Sequence, residues 1–411
     1  MFLKILFVVS VFCFSGAFAK LDEVFEWKQV KFEWPTEEAE KVAIENGDYV
    51  PENNLPLGLV RWKDKLFVTV PRWKHGVAAT LNYILLNTTE KSPKFHPYPD
   101  WNANLLPKEG EDPVENQIVS VFRMKVDPCD RLWIMETGLA DILGNPKLVI
   151  PPSIAIFDLN TDKLIKRYNL SETDIKGEDS FFANIIVDVT NETCDKAFAY
   201  IPDLGGYGIV VYSLADDKSW RVKHNYFHFD PLKGDMTVGG VNFQWTDGVF
   251  GVALGPLNET TGFRTAYFHA LASCNQFSVS TQVLKNEILA TDPASFDLYQ
   301  LEGIKDDKGQ SSSSDFDVKT NVLFITQLQR DGIACWNPRT KLEPDNFPLI
   351  VQDHEKLIFT NDISIDAERN LWILSDRMPI FIYKQLDPNQ INYRIMRIKI
   401  DDAIKDTACE A

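Results

Sequence analysis

Hydrophobic and polar positions alternate along most of the chain in short runs, which is the pattern of half-buried β-strands. The clearest run occurs twice, as "MKVDPCDRLWIMETG" at 124–138 and "ISIDAERNLWILSDR" at 363–377. Each copy reads as a strand that ends at an aspartate, a polar turn, and a second strand that contains Leu-Trp-Ile. We interpret the repeated segment as the inner hairpin of a β-unit that recurs along the chain, in which the tryptophan packs inside the unit.

Weaker copies of this hairpin recur at a period of about sixty residues, and such a period indicates a repeat architecture. The first strands end at Arg61, Asp127, Asp188, Leu254, Asp317 and Asp366. Third strands are predicted at 80–85, 154–159, 208–214, 277–281, 332–337 and 380–386, and fourth strands include 163–170 and 393–400. The pattern predicts an all-β fold, a six-bladed β-propeller with four-stranded antiparallel blades.

The remaining segments fit one propeller domain over 20–411. The alternating segment 24–34 is predicted to supply the outer strand of the last blade by pairing with 393–400, because a ring must close to protect its edge strands. It belongs to a leading segment, 20–56, in which 35–47 reads as a surface helix. "KGQSSSS" at 308–314 reads as a flexible loop between blades, and 401–411 as a C-terminal tail.

The N-terminus and the sequons indicate a secreted, extracellular glycoprotein. Residues 1–19 combine Lys4, an apolar run and Ala17-Phe18-Ala19, which are the features of a secretory signal peptide. The mature chain is then predicted to begin at Lys20. The apolar run is too short to span a membrane, and we expect no membrane association. Four glycosylation sequons begin at Asn87, Asn169, Asn191 and Asn258.

The net charge argues against nucleic acid as a partner. The chain has 42 Lys and Arg against 59 Asp and Glu, a formal charge of −17, whereas binding to a phosphate backbone requires basic patches. A negative net charge of this size favours neutral or cationic small molecules as ligands.

The cysteines test the alignment of the blades. Removal of the signal peptide leaves Cys129, Cys194, Cys274, Cys335 and Cys409 in an oxidising compartment. Four of these cysteines can form two disulfide bonds in three different ways. The predicted register favours Cys129–Cys194 and Cys274–Cys335, each between neighbouring blades. It leaves Cys409 in the tail, either as a free thiol or paired with a second chain.

Polar and aromatic side chains are predicted to meet at one mouth of the central channel, where innermost strands begin and second strands end. The proposed ligand-binding residues are Asn184, Trp245, Gln327, Phe359, Thr360, Asn361, Asp362 and Asp376. Such a ring of carboxylates, amides and aromatic rings can hold an amine or, through its oxygens, Ca²⁺ in the channel or in a structural site. The sequence contains no catalytic metal motif and no phosphate-binding glycine loop.

Several segments resemble the insect Yellow and major royal jelly protein family. They are "LPLGLVRWKDKLFVTVPRWKHGVAATLNYI" (55–84), "CDRLWIMETG" (129–138), "FGVALGP" (250–256), "TNVLFITQLQRDGIACWN" (320–337) and "NLWILSDRMPIFIY" (370–383). The resemblance covers nearly all of the mature chain. It implies a secreted six-bladed propeller, in agreement with the count of repeats.

The resemblance implies dopachrome conversion in melanin synthesis, since the chain is most similar to dopachrome-converting members. This reaction removes a proton from a ring carbon, with or without loss of carbon dioxide, and requires a general base but no redox cofactor. His75, His269 and Glu136 are the candidate bases. The alternative is a non-catalytic binder of catecholamines or indoleamines; a calcium-dependent lactonase-like hydrolase is a third possibility. We expect a monomer whose partner is an indole or catechol substrate or an amine.

Overall fold

The structure is a computed structural model, and it describes residues 21–108 and 110–410. Six four-stranded antiparallel sheets form the six blades of a β-propeller, which confirms the predicted fold class. The predicted signal peptide, 1–19, and the predicted start at Lys20 lie outside the described residues and stay predictions.

The strands of the first three blades follow the predicted repeats. Blade one contains β2 (Leu59–Trp62), β3 (Lys65–Thr69), β4 (Leu81–Leu85) and β5 (His96–Pro97). Blade two contains β6 (Val121–Val126), β7 (Arg131–Glu136), β10 (Ser153–Asp158) and β11 (Lys163–Asn169), with a small hairpin of β8 (Leu139–Ala140) and β9 (Lys147–Leu148) after its second strand. Blade three contains β12 (Ile186–Asp188), β13 (Phe198–Asp203), β14 (Gly208–Ser213) and β15 (Lys218–Lys223).

The other three blades complete the ring. A second hairpin, β16 (Asp235–Val238) and β17 (Val241–Gln244), precedes blade four, which contains β18 (Val249–Leu254), β19 (Thr265–Ala270), β20 (Asn275–Ser280) and β21 (Tyr299–Ile304). Blade five contains β22 (Ser314–Asp317), β23 (Val322–Gln327), β24 (Gly332–Trp336) and β25 (Leu349–Gln352). Blade six contains β26 (Thr360–Ile365), β27 (Asn370–Ser375), β28 (Tyr393–Lys399) and the N-terminal β1 (Asp22–Trp27).

The N-terminal strand closes the ring. β1 pairs antiparallel with β28, from Asp22 opposite Arg397 to Trp27 opposite Tyr393, which confirms the predicted closure. The innermost strands of blades one and six, β2 and β26, are also in contact. Blade six therefore combines the two ends of the described chain, and its outer edge depends on β1.

Helices are short and lie in the connections. They are α1 (Glu37–Asn46), α2 (Trp101–Asn104), α3 (Thr281–Lys285), α4 (Glu287–Thr291), α5 (Met378–Tyr383) and α6 (Ile400–Ile404). Short 3₁₀ helices occupy Pro51–Asn53, Gly177–Asp179, Cys194–Lys196, Asn225–Phe227, Pro293–Leu298, Leu328–Arg330 and Pro344–Asn346. The predicted surface helix is α1, capped by the hydroxyl of Thr36 on the Ala39 N–H.

The predicted strand at 380–386 is wrong, because this segment contains α5 instead. Pro379 lies at the start of α5, where a missing N–H costs no hydrogen bond. The third strand of blade six is therefore β28, and its fourth is β1.

The repeated segment contains an aspartate that binds the tryptophan six residues later. The Trp133 indole donates to Asp127 over 2.8 Å, and the Trp372 indole donates to Asp366 over 2.7 Å. Both rings have no exposed surface. A buried tryptophan requires a partner for its N–H, and the aspartate at the hairpin turn supplies it. This explains why the same residues recur at 124–138 and 363–377.

One predicted disulfide is present and the other is wrong. Cys129 and Cys194 are bonded and link blades two and three. Cys335 pairs with Cys409 instead of Cys274, so Cys409 is not a free tail thiol and Cys274 is a buried free thiol. The predicted partners lie at opposite ends of third strands that run in the same direction, since Cys274 precedes β20 whereas Cys335 is near the end of β24. The disulfide joins the tail to blade five.

The serine segment is part of the core and not a flexible loop. Ser311, Ser312 and Ser313 are almost fully buried. The Thr326 hydroxyl accepts from the backbone N–H groups of Ser312 and Ser313, at 3.1 and 3.0 Å. The prediction is wrong because composition alone does not show that a polar segment is buried between neighbouring blades.

Three further predictions concern membrane association, glycosylation and a calcium site. No helix in the described part of the chain is long and apolar enough to cross a membrane. The four sequon asparagines, Asn87, Asn169, Asn191 and Asn258, are all exposed, and their glycosylation stays a prediction. Within residues 21–108 and 110–410, no three His, Cys, Asp or Glu side chains come together as a metal site. Because Ca²⁺ also binds carbonyl and amide oxygens, the predicted calcium stays a prediction.

Candidate functional site

A cavity of about 460 Å³ opens at the end of the ring where the innermost strands begin, and all six blades contribute to it. We call it the central cavity. Its lining residues are Leu57, Trp73, Phe122, Ile142, Leu143, Phe181, Ala183, Leu204, Gly205, Gln244, Trp245, Thr246, Asp247, Phe250, Leu271, Ser312, Phe359, Asn361, Met378, Ile382 and Tyr383. Of the predicted ligand-binding residues, the structure places Trp245, Phe359 and Asn361 here.

Aromatic rings form much of the wall. Trp73 meets Phe122 edge to face, with ring centroids 4.8 Å apart, and stacks on Phe181 at 5.8 Å. Trp245 lies edge-on to Phe359 at 5.8 Å. The Trp245 indole N–H donates to the Tyr383 hydroxyl over 2.6 Å. Such a wall favours a flat aromatic ligand or an organic cation.

Phe359 holds an uncommon backbone conformation at the edge of blade six. Its φ is +53°, in the left-handed region that bulky residues rarely adopt, and its side chain is 1% exposed. The surrounding packing must stabilise this conformation, which places the ring in the wall of the cavity.

Arg123 crosses the centre of the ring close to the cavity. Its guanidinium donates to the carbonyls of Ser312 and Asn361, at 2.9 and 2.5 Å, and lies 4.1 Å from the centre of the Phe250 ring. Its Nε is 3.4 Å from a carboxylate oxygen of Asp362. Burial lowers the pKa of Arg123, whose charge is balanced by Asp362 rather than offered to a ligand.

Asp362 does not line the cavity, and its contacts are structural. Its carboxylate accepts from the backbone N–H of Leu59 at 3.0 Å and from the Ser313 hydroxyl at 2.8 Å. These bonds connect blade six with blades one and five.

Four other predicted ligand-binding residues are also outside the cavity lining. The Asn184 amide donates to the Phe250 carbonyl, the Gln327 amide to the Thr326 carbonyl, and the Thr360 hydroxyl to the Leu357 carbonyl. Asp376 is fully buried, and burial raises its pKa well above the ordinary value for a carboxyl group. These side chains act in strand-end hydrogen bonds behind the wall.

None of the three candidate bases lines the central cavity. His75 is exposed. His269 is buried against Gly251, where a Cβ would lie 2.3 Å from the imidazole, and burial holds its pKa well below the ordinary value. The Glu136 carboxylate accepts three backbone N–H groups, from Val119, Ser120 and Gly138. The structure therefore does not bring these residues together.

The carboxylate that lies in the cavity is Asp247, which the sequence reasoning missed. It is half-buried, and burial raises its pKa to about 6. No lysine or arginine lines the cavity, and no ion pair to Asp247 exists in the described part of the chain. Its signal in the sequence is its position in "WTDG", directly before an innermost strand, as for Trp245 and Asn361.

The backbone on both sides of Asp247 is fixed. Its carbonyl accepts from the Ala272 N–H at 3.1 Å, and the Gly248 N–H donates to the Leu204 carbonyl at 2.8 Å. A Cβ at Gly248 would lie 2.4 Å from the Tyr207 ring, so only glycine fits there. The backbone at Asp247 is therefore fixed before any ligand binds.

Two comparisons of the sequence identify the family. The major royal jelly protein family model matches residues 119–409. The chain is also 38% identical to Protein yellow of Drosophila melanogaster over 401 residues, which cover 96% of this chain and 72% of that protein. It is 39% identical to Protein yellow of Drosophila guanche over 411 residues, 99% of this chain and 70% of that protein.

The chain belongs to the Yellow and major royal jelly protein family.

Two solved structures resemble this Yellow-family chain weakly. A luciferin-regenerating enzyme is 11% identical with a TM-score of 0.47, over 87% of this chain and 93% of that one. A virginiamycin B lyase from Staphylococcus aureus is 11% identical with a TM-score of 0.43, over 86% of this chain and 98% of that one. Likenesses at this level carry no argument about function.

Proposed function

We propose that this secreted Yellow-family protein converts dopachrome or a closely related indoline quinone in extracellular melanin synthesis, with Asp247 as the general base. The proposal is carried by one observation. Asp247 is the one acidic or basic side chain among the residues that line the aromatic central cavity. It also replaces His75, His269 and Glu136 as the candidate base.

The chemistry requires a base for a carbon-bound proton. The flat quinone ring would lie against the aromatic wall, and Asp247 would take a proton from a carbon of the five-membered ring. A base with a pKa of about 6 is ionised at neutral pH and can still hold the proton it receives. The electrons move into the quinone, which becomes a catechol, so no external oxidant or reductant is consumed.

The quinone oxygen that gains charge in this step requires a donor. The Tyr383 hydroxyl lines the cavity and already accepts from Trp245, which leaves its own proton available for donation. Stabilising the developing negative charge is the usual role of such a donor. Tyr383→Phe should therefore lower turnover while leaving the aromatic wall in place.

The charge of the cavity also favours one type of substrate. Dopachrome contains a carboxylate, and the cavity lining offers no lysine or arginine to pair with it. The quinone derived from dopamine lacks this carboxylate. We therefore expect it to be converted at a higher kcat/KM than dopachrome.

The second candidate is a non-catalytic amine binder. The same carboxylate within aromatic walls can hold an ammonium group by charge and by cation–π contact. Both functions use Asp247, so loss of binding alone does not distinguish them. Turnover of the quinones distinguishes them, because a binder does not accelerate their decay.

The test follows quinone decay and calorimetric binding of dopamine with wild type, Asp247→Asn and Asp297→Asn. Asp297 is exposed and serves as the matched control. The enzyme proposal expects at least a hundredfold loss of kcat in Asp247→Asn and no change in the control. Amine binding that depends on Asp247 without quinone turnover in wild type would instead support the binder. Equal behaviour of the two variants would contradict both.

A further inference from the structure

A second cavity, of about 280 Å³, lies on the other side of α5 from the central cavity. α5 contributes Met378, Ile382 and Tyr383 to the central cavity, whereas Phe381 and the following Lys384 line the second one. Lys28 and Lys74 complete its positive side. We call it the basic cavity.

Contacts to backbone carbonyls position two of the three lysines. The Lys74 ammonium donates to the Phe381 carbonyl over 3.0 Å and lies 4.0 Å from the centre of the Phe381 ring. The Lys384 ammonium donates to the Gly240 carbonyl over 3.3 Å. Each ammonium group has three protons, so both retain protons for a ligand. Lys28 is exposed.

No carboxylate neutralises these lysines. In the part of the chain that the structure describes, none of the three forms an ion pair within 4.0 Å, although the chain has 59 acidic residues. Glu52 is the one acidic residue among those that line the cavity, and its carboxylate accepts from the Gln29 amide at 3.1 Å. Burial lowers the pKa of Lys74, as expected for an ammonium without a counterion.

We propose that the basic cavity binds a small oxyanion, such as phosphate, sulfate or a short carboxylate. Three positive charges against one negative charge in a concave site favour an anion, and a cavity of about 280 Å³ has room for one of this size. Lysine ammonium groups suit such a ligand because they act as point charges with rotatable donors. The site is separate from the central cavity and does not depend on the function proposed for it.

The experiment is a calorimetric titration with inorganic phosphate at constant ionic strength set by sodium chloride. It compares wild type with Lys28→Gln/Lys384→Gln and with the matched control Lys31→Gln/Lys319→Gln, which removes two other exposed lysines. Sulfate and acetate are titrated in parallel to identify the class of oxyanion. Melting temperatures without added phosphate show whether each variant is folded.

We expect phosphate to bind wild type and the control with the same affinity, and the cavity variant to bind at least tenfold more weakly. Sulfate binding that the cavity variant also weakens indicates an oxyanion site without further selectivity, and acetate binding that it weakens extends the site to carboxylates. Equal affinity for the two double variants would overturn the proposal. No measurable binding of phosphate to wild type at concentrations well above about 1 mM, where the binding free energy is only about −4 kcal/mol, would also overturn it.

Discussion

The side-chain amide of Asn361 donates to the carboxylate of Asp376 over 2.6 Å, and so joins the wall of the central cavity to a carboxyl group that solvent does not reach. Asp376 also accepts the backbone N–H of Met378 at the start of α5. The hydrogen bond thus connects two segments of blade six that both line the cavity. It gives Asn361 a structural role in addition to any contact with a ligand.

Replacement of Asn361 by alanine should therefore lower stability as well as binding. The variant leaves a buried carboxyl group without its amide donor, which typically costs about 1–3 kcal/mol. We expect a lower melting temperature and weaker binding per folded molecule. If the melting temperature is unchanged, the Asn361–Asp376 bond does not contribute to stability. Double substitution with Asp376→Asn tests the coupling, since its effect should be less than the sum of the single effects.

Asp247 predicts a specific dependence on pH. Its pKa in the folded protein, about 6, is above the ordinary value, so the group contributes stability below pH 4 that is lost as the pH rises through 6. Asp247→Asn should therefore be more stable than wild type at pH 7.5 and similar to it near pH 4. The shift in pKa corresponds to at most about 3 kcal/mol, and solvent screening of this half-buried carboxylate reduces that difference. Wild-type kcat should rise with pH to a plateau above about 7. Denaturant unfolding at both pH values and a rate profile check these expectations, and a variant less stable than wild type at pH 7.5 would contradict them.

The observed disulfides predict different effects for substitutions of Cys409 and Cys274. Removal of the Cys335–Cys409 bond by Cys409→Ser should cost about 2–4 kcal/mol, because the bond restricts the unfolded chain. Cys274→Ala removes a free thiol and should have a smaller effect. Peptide mapping under non-reducing conditions should recover Cys335 with Cys409. A peptide that joins Cys274 to Cys335 would show that the observed pairing is wrong.

Loss of the closing strand should unfold the propeller. Trp27 in β1 is 1% exposed, and its indole donates to the Pro93 carbonyl over 2.8 Å. Trp27→Ala should cost about 3–5 kcal/mol, as for other buried aromatic residues. Deletion of residues 20–34 should abolish the cooperative transition, because it exposes the edge of β28. A deletion variant that melts as wild type does would contradict the role of β1 in closing the ring.

The hydrophobic pattern predicted the blades because every blade repeats the same alternation and the same turn residues. It failed at 380–386, since a short apolar run fits a helix as well as a strand, and only its packing beside the cavity decides between them. It also failed at Ser311–Ser313, which read as a loop although neighbouring blades satisfy their polar groups.

The sequence pattern identifies only some of the residues that line the central cavity. Trp245, Phe359 and Asn361 line the cavity because the ends of the innermost strands converge there. Whether a residue at a strand end faces the cavity or the neighbouring blade depends on local backbone direction, which the sequence does not show. Asp362 and Asn361 are adjacent in sequence, yet only Asn361 lines the cavity. For the same reason Asp247 was missed.

Lys305 provides the last prediction, because its side chain is fully buried and its ammonium has no hydrogen-bond partner in the described part of the chain. Burial lowers its pKa from an ordinary value near 10.5 to about 7. The folded protein therefore favours the neutral amine. Above pH 10.5 the amine is neutral in the folded and the unfolded chain, and burial of Lys305 then costs least; the free energy of unfolding decreases as the pH falls towards 7.

Lys305→Met should raise the free energy of unfolding at pH 7 by about 1–4 kcal/mol, as found when buried ionic groups are replaced by apolar ones. The gain in the free energy of unfolding should be smaller at pH 9.5, because loss of the proton from Lys305 then costs less free energy in wild type. Denaturant unfolding at both pH values, with exposed Lys319→Met as the control, measures the difference. A gain that is the same at both pH values, or absent at pH 7, would show that the ammonium has a partner in the folded protein.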